Sequence, residues 1–183
     1  DRRITGVKAK DHSSGEESIY KVHGNITGLK SSVRDRLQRL YRRHVEPRQV
    51  IGAELARELA HLSFECGRQV GLLVGRSGDV DMVLVGGPRS MFLPDLPKSR
   101  GGRWRLRGLR FVHAHLDGEP LSQDDLMDLV FLRLDCIAVV QVDRHGGATH
   151  LQMAHVLPGA VEPQQGWEVY PSTPLQDLDV DFL

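Results

Sequence analysis

From Gly28 onward the apolar residues Leu29, Val33, Leu37, Leu40, Tyr41 and Val45 recur at helical spacing, while Lys30, Arg34, Arg36, Arg39, Arg42 and Arg43 fall mostly on the other faces. The pattern predicts a basic amphipathic helix closed by Pro47. A second helical run follows, with Leu55, Ala56, Leu59, Ala60, Leu62 and Ser63 on one side and Gly67 as its stop. The period then shortens to two. "QVGLLVG" turns through Arg76, Ser77, Gly78 and Asp79 into "VDMVLVG", which reads as a hairpin. Met91 to Leu93 form a short apolar piece, and "PDLPKSRGGRWRLRG" reads as a surface loop. "LRFVHAH" is the next strand. Leu126, Leu129, Val130, Leu132, Arg133 and Leu134 then predict a helix lying on the sheet, "CIAVVQV" a buried strand, and "THLQMAHVL" a last strand after the Gly146-Gly147 turn.

This order of helices and strands favours an α/β fold, a mixed β-sheet covered by helices. Residues 1–19 are polar and short of large apolar side chains, so they are expected to form a disordered or extended tail. Residues 20–160 are expected to form the domain. Residues 161–183 read as an extended, proline-punctuated segment with Trp167 and Tyr170 as anchors.

Composition narrows the function classes. The 183 residues hold 24 Lys plus Arg and 24 Asp plus Glu, so no global field drives the chain onto nucleic acid or membrane, and charge has to be read regionally. Two cysteines, Cys66 and Cys136, in segments that read as buried fit a reducing compartment. No apolar run reaches bilayer length and no signal peptide is apparent, so a cytoplasmic protein is expected. Regionally, residues 30–48 hold seven Lys or Arg against Asp35 and Glu46. Such a stripe can neutralise phosphates, with Arg34, Arg36, Arg39, Arg42 and Arg43 as the contacts. Arg100, Arg103, Arg105, Arg107 and Arg110 form a second basic cluster.

The chemistry concentrates in "FVHAHLDGEPLSQDDL". His113 and His115, two apart on a strand, project from one face of the sheet. Asp125 lies ten residues on, in the first turn of the following helix, after a loop long enough to fold it back. Two imidazoles and a carboxylate are the three-ligand set of a catalytic zinc. Ser122 and Asp125 are equally an N-cap and its N3 partner, which needs no metal.

"HAHLDGEPLSQDD" resembles the H-x-H…S-x-x-D signature of the JAMM/MPN (JAB) metalloprotease family. The resemblance implies a JAMM/MPN-like fold, zinc on His113, His115 and Asp125, and Ser122 assisting at the catalytic water. The loop between His115 and Ser122 has six residues where that family has seven, and Leu116 stands where it usually has proline. Arg68 in "GRQVGLLVG" occupies the position of the family's general-base glutamate, and a cation cannot take a proton from water there. Glu65, one turn earlier, and Glu119, in the loop, are the carboxylates that could act as a displaced base.

A second resemblance spans about residues 20–183. "HGNITGLKSSVRDRLQRLYRRHVEPRQVIGAELARELAHLS", "GLRFVHAHLDGEPLSQDDLMDLVFLRLD", "AHVLP" and "DLDVDFL" look like the N-terminal extension of long-form bacterial HflX GTPases. That family is ribosome-associated and binds the large subunit. The resemblance implies rRNA or another ribosomal partner and a following GTPase domain. The chain has no G-x-x-x-x-G-K-[ST] loop, so GTP is not expected to bind these residues. An accessory module with a degenerate JAMM-like site, an active zinc isopeptidase or peptidase, and a metal-free structural adaptor remain the three functional expectations.

Overall fold

The computed structural model describes residues 20–93, 106–157 and 166–177. The predicted tail (1–19) and most of the arginine-rich loop, including Arg100, Arg103 and Arg105, lie outside them.

One mixed sheet organises the domain. Its strands are β1 (Val22–Gly24), β2 (Val70–Gly75), β3 (Val80–Val85), β4 (Leu109–His115), β5 (Cys136–Val142), β6 (Ala148–Val156), β7 (Trp167–Val169) and β8 (Thr173–Pro174). The spatial order is β1-β3-β2-β4-β5-β6-β7, with β8 also pairing β6. β1 runs parallel to β3 and β4 parallel to β5, and the remaining neighbours are antiparallel. Helix α1 (Ser31–Arg39) and helix α2 (Ala53–Cys66) cover one face, and helix α3 (Gln123–Phe131) lies on the other.

Alternation along the strands sorts the core accordingly. Val112 and Ala114 of β4, with Ala138, Val140 and Val142 of β5, pack under Ala56, Leu59 and Leu62 of α2. Phe111 and Ile137 face Leu129 of α3 with Leu73 and Leu84. β5 is buried along its whole length because helices cover both of its faces, hence its continuous apolar run.

Several expected elements differ in extent. The first helix does not run to Val45: α1 tightens into a 3₁₀ turn at Leu40–Arg42 and the chain is extended at Arg43. Tyr41 sets this early end, because its hydroxyl donates to the Lys21 carbonyl and accepts from the Val83 amide, tying the turn to the sheet. α2 stops at Gly67, which takes the left-handed conformation (φ 61°) of a helix C-terminus. α3 ends at Phe131, before Leu134, because Arg133 turns left-handed (φ 57°) to lead into β5. β1 has no counterpart in the periodic pattern. Within the segment expected to be extended, β7 and β8 join the sheet at β6. No described helix is long and apolar enough to cross a membrane.

Candidate metal centre

β4 places His113 and His115 on the α3 side of the sheet, in line with Phe111. His113 sits between Gly71 of β2 and Val139 of β5, its register partners. Its ring stacks on Phe111, with centroids 4.6 Å apart and planes 11° apart. Gly71 makes room for that stack: a Cβ there lies 2.8 Å from the Phe111 ring and 3.1 Å from Cβ of His113.

The loop after β4 returns the chain to the sheet through Asp117 (φ 62°) and Gly118 (φ 70°). Gln152 of β6 holds its far end, accepting from the Leu121 amide at 2.9 Å. Ser122 then caps α3. Its hydroxyl accepts from the Asp125 amide at 3.2 Å, while its own amide and hydroxyl each donate to Oδ2 of Asp125 at 2.7 Å. The capping box is real, and it is also what aims the carboxylate at the histidines.

Three side chains converge as a result. Nε2 of His113 lies 2.9 Å from Oδ1 of Asp125 and 2.9 Å from Nε2 of His115, and Nε2 of His115 lies 3.5 Å from Oδ2 of Asp125. Ligand atoms on a tetrahedral zinc with bonds of about 2.0–2.1 Å are about 3.3 Å apart, so an ion fits after adjustments of a few tenths of an ångström. His113, His115 and Asp125 are the one group of this kind among the described residues, and all three are buried. The cluster can therefore hold a metal.

His115 Nδ1 lies 2.9 Å from the Pro120 carbonyl, which can only accept, so that nitrogen carries the proton and Nε2 presents its lone pair inward. Burial lowers the pKa of His113, against the opposing pull of Asp125, so the ring is neutral. Burial raises that of Asp125, but hydrogen bonds from His113 and the Ser122 amide outweigh it and hold the carboxyl ionised, far below its ordinary value.

The triad opens on a cavity of about 740 Å³ lined by His115, Ser122 and Asp125, by Asp117, Glu119, Asp124 and Asp128 from the loop and α3, and by the segment from Pro88 to Leu93. Arg68 does not belong to it. Its guanidinium donates to the carbonyls of Asn25 (2.7 Å) and Thr27 (2.8 Å) and pins the segment between β1 and α1. The expectation that Arg68 stands at the metal is thus corrected, and its neighbour Gln69 lines the cavity instead, on the face that Gly71 shares. Glu65 is equally removed, because it pairs with Arg36 within the α1–α2 layer. Glu119 does line the cavity.

The basic stripe is largely spent on the fold. Arg36 pairs with Glu65, Arg43 with Glu58 and Glu54, and Arg34 donates to the Ile26 carbonyl at 3.2 Å. Arg39 bonds the Asp35 carbonyl through Nε at 3.3 Å, and together with Arg42, Tyr20 and Tyr41 it lines a separate cleft of about 660 Å³. Of the second cluster, Arg110 turns inward and donates to the Gln49 carbonyl, so it is no surface contact. Cys136 is buried beside it, its thiol pushed up to about 11 by that burial, and Cys66 is half-buried.

Gly71, Gln69, Gln152 and Asp128 were not marked as site residues by the sequence pattern. Strand register finds Gly71, which lies opposite His113, and alternation from Gly71 leads to Gln69. The chain matches no family model and no curated protein, and its fold matches no solved structure.

Proposed function

We propose that this domain is the N-terminal accessory module of an HflX-type ribosome-associated GTPase, with a JAMM/MPN-like α/β fold and a zinc centre on His113, His115 and Asp125. Its task is docking or regulation rather than peptide hydrolysis. The observation that carries the metal reading is the convergence of three ligand atoms within 4.8 Å of one another, with all three residues buried. His115, oriented through Nδ1 by the Pro120 carbonyl, has the outer-shell hydrogen bond that metal-ligating histidines use. Zinc bound there supplies Lewis acidity. Hydrolysis also needs a positioned base; Glu65 is committed to Arg36 and Gln69, which cannot take a proton, lines the cavity, which favours a docking role. The blocks that resemble HflX extensions are what the assignment to that family rests on, with GTP bound by a following domain and the ribosomal large subunit as partner.

One observation favours a metal-free adaptor. Nε2–H of His113 can be shared between Asp125 and the lone pair of His115, which closes the triad without an ion. To hold zinc, His113 would present the lone pair of that nitrogen and carry its proton on Nδ1, which has no hydrogen-bond partner among the described residues. A buried unpaired donor costs about 1–3 kcal/mol, so zinc affinity is expected to be about ten- to a hundredfold below that of a fully supported site.

The two readings separate on elemental analysis of protein purified without chelator or added metal. The proposal expects about one zinc per chain, lost in His115→Ala and in Asp125→Asn, and no isopeptide hydrolysis above background. Zinc-free protein that stays zinc-free on titration overturns it in favour of the adaptor. Zinc-dependent hydrolysis lost in His115→Ala overturns it in favour of a peptidase that uses Glu119.

A further inference from the structure

We infer that Gln152 is a positioning residue for the metal centre and couples its occupancy to the C-terminal strands β7 and β8, a reading that rests on the metal assignment of His113, His115 and Asp125. A single peptide unit makes the link. The Pro120 carbonyl accepts from Nδ1 of His115 at 2.9 Å, and the Leu121 amide, the other end of the same planar unit, donates to Oε1 of Gln152 at 2.9 Å. Nε2 of Gln152 donates in turn to the Tyr170 carbonyl at 3.2 Å. These two partners fix the orientation of the side-chain amide, because a backbone N–H can only donate and a backbone carbonyl can only accept. Three hydrogen bonds thus run unbroken from a metal-facing imidazole to the backbone between β7 and β8.

The sheet places Gln152 for this part. Its register partner on β5 is Val139, and that of Val139 on β4 is His113, so the three residues form one row across the sheet and present their side chains to the same face. Both hydrogen bonds of Gln152 are partly buried. With a cation on Nε2 of His115, the Nδ1 proton becomes more acidic and donates more strongly to the Pro120 carbonyl. In a chain of hydrogen bonds each polarises the next, so the pull extends through the Leu121 amide and the Gln152 side chain to Tyr170. Tyr170 is held from two further sides: its amide donates to the Met153 carbonyl at 2.9 Å, and its ring stacks on His155 with centroids 5.6 Å apart. What Gln152 tightens is therefore a packed segment. The coupling is reciprocal, so loosening Tyr170 slackens the bond that orients His115 and weakens zinc.

The test uses the 183-residue chain and two variants. Gln152→Met removes both hydrogen bonds at similar length, whereas Gln152→Glu keeps an acceptor for the Leu121 amide and removes the donor to Tyr170. Zinc affinity is read by competition with a chelating dye. Hydrogen exchange by NMR, with and without zinc, reads the Tyr170 amide, and the amides of β1 at the opposite edge of the sheet are the internal control. In the unmodified chain zinc is expected to slow exchange at Tyr170 and leave β1 unchanged. Gln152→Met should weaken zinc about three- to tenfold and abolish the effect at Tyr170. Gln152→Glu should abolish that effect too, yet keep the zinc affinity of the unmodified chain. A residue that only supports the fold moves both readouts together and does not produce this split. Zinc bound by the unmodified chain without slower exchange at Tyr170 overturns the inference, and this comparison holds even if a variant folds poorly. Unchanged affinity in folded Gln152→Met, or a zinc effect at Tyr170 that survives in either folded variant, overturns it as well. These outcomes leave the metal assignment standing, whereas an unmodified chain that takes up no zinc sinks both.

Discussion

Gly71→Ala tests whether the triad depends on the packing beneath it. Cβ of an alanine at this position falls 2.8 Å from Cε2 of Phe111, 3.1 Å from Cβ of His113 and 3.2 Å from Cε of Met91. The Met91 methyl can swing away, but the Phe111 ring is buried and stacked on His113, so relief has to come from the ring that positions a ligand. Overpacking a filled core costs about 1–3 kcal/mol, and the entropy recovered by replacing glycine returns about 0.4–1 kcal/mol. The net loss of about 0–2.5 kcal/mol lowers Tm by up to about 10 °C in a chain of this size. Zinc affinity should fall further than stability does, because a displaced His113 Nε2 spoils a geometry that tolerates only a few tenths of an ångström. Gly75→Ala, at the far end of β2, meets nothing closer than 3.5 Å and serves as the control. Thermal unfolding by circular dichroism and zinc titration against a chelating dye read both quantities. An alanine variant with unchanged zinc affinity refutes the claim that Gly71 sets the position of His113.

Reversing the charge of Arg43 should destabilise the α1–α2 layer by about 1 kcal/mol, because Glu58 and Glu54 lose their partner and gain a repulsive neighbour, whereas Arg42→Glu should stay within about 0.5 kcal/mol in the same urea melts. Asp135 is raised by partial burial but held below its ordinary value by Arg76 and the Gly108 amide, so its stabilising contribution is present above about pH 4 and fades as pH falls below that; acid melts of Asp135→Asn should lack this component. Ser122→Ala should cost about 1 kcal/mol and weaken zinc, Ser122→Thr should restore both, and Ser122→Gly should recover most of the helix stability without fully recovering zinc, because glycine caps and keeps the amide donor to Oδ2 of Asp125 but lacks the hydroxyl donor. Equal zinc affinity in the Gly and Thr variants shows that the hydroxyl does not hold the carboxylate.

The elements that could be read from periodicity are those whose burial is one-sided or complete along their length. α2 buries a regular stripe from Ala53 to Ser63, and β5 is covered on both faces, so pattern and structure agree. β1 is three residues at the sheet edge, with Gly24 left-handed (φ 98°) and packed against the Val85 carbonyl. Its pairing with β3 is non-local, and three residues carry no measurable period. The overlong first helix has a related cause. Leu40, Tyr41 and Val45 keep facing the core after the helix ends, because the 3₁₀ turn and the bridge between His44 and Asp79 continue to point them inward. Apolar spacing records which side chains are buried; the backbone conformation that buries them has to be inferred separately.

The site shows the same distinction at atomic scale. Ser122 and Asp125 admitted a helix cap or a metal ligand, and the structure builds the cap: Oδ2 accepts from Ser122 and fixes the carboxylate, leaving Oδ1 for His113. A cap built this way is compatible with a metal held by the same carboxylate. Arg68 failed as a site residue because a sequence offset fixes distance along the chain and not the side of the sheet. Gly71 shares its face with His113, Gln69 follows by alternation, and position 68 falls on the other face, where the carbonyls of Asn25 and Thr27 take the guanidinium. A glutamate at 68 is therefore expected to remain on the α1–α2 side, so Arg68→Glu alone should not create hydrolysis. Gln69→Glu is the substitution that brings a carboxylate to the cavity, and isopeptide turnover with zinc present is the measurement that decides between the two positions. Turnover gained by Arg68→Glu and not by Gln69→Glu refutes this assignment of faces.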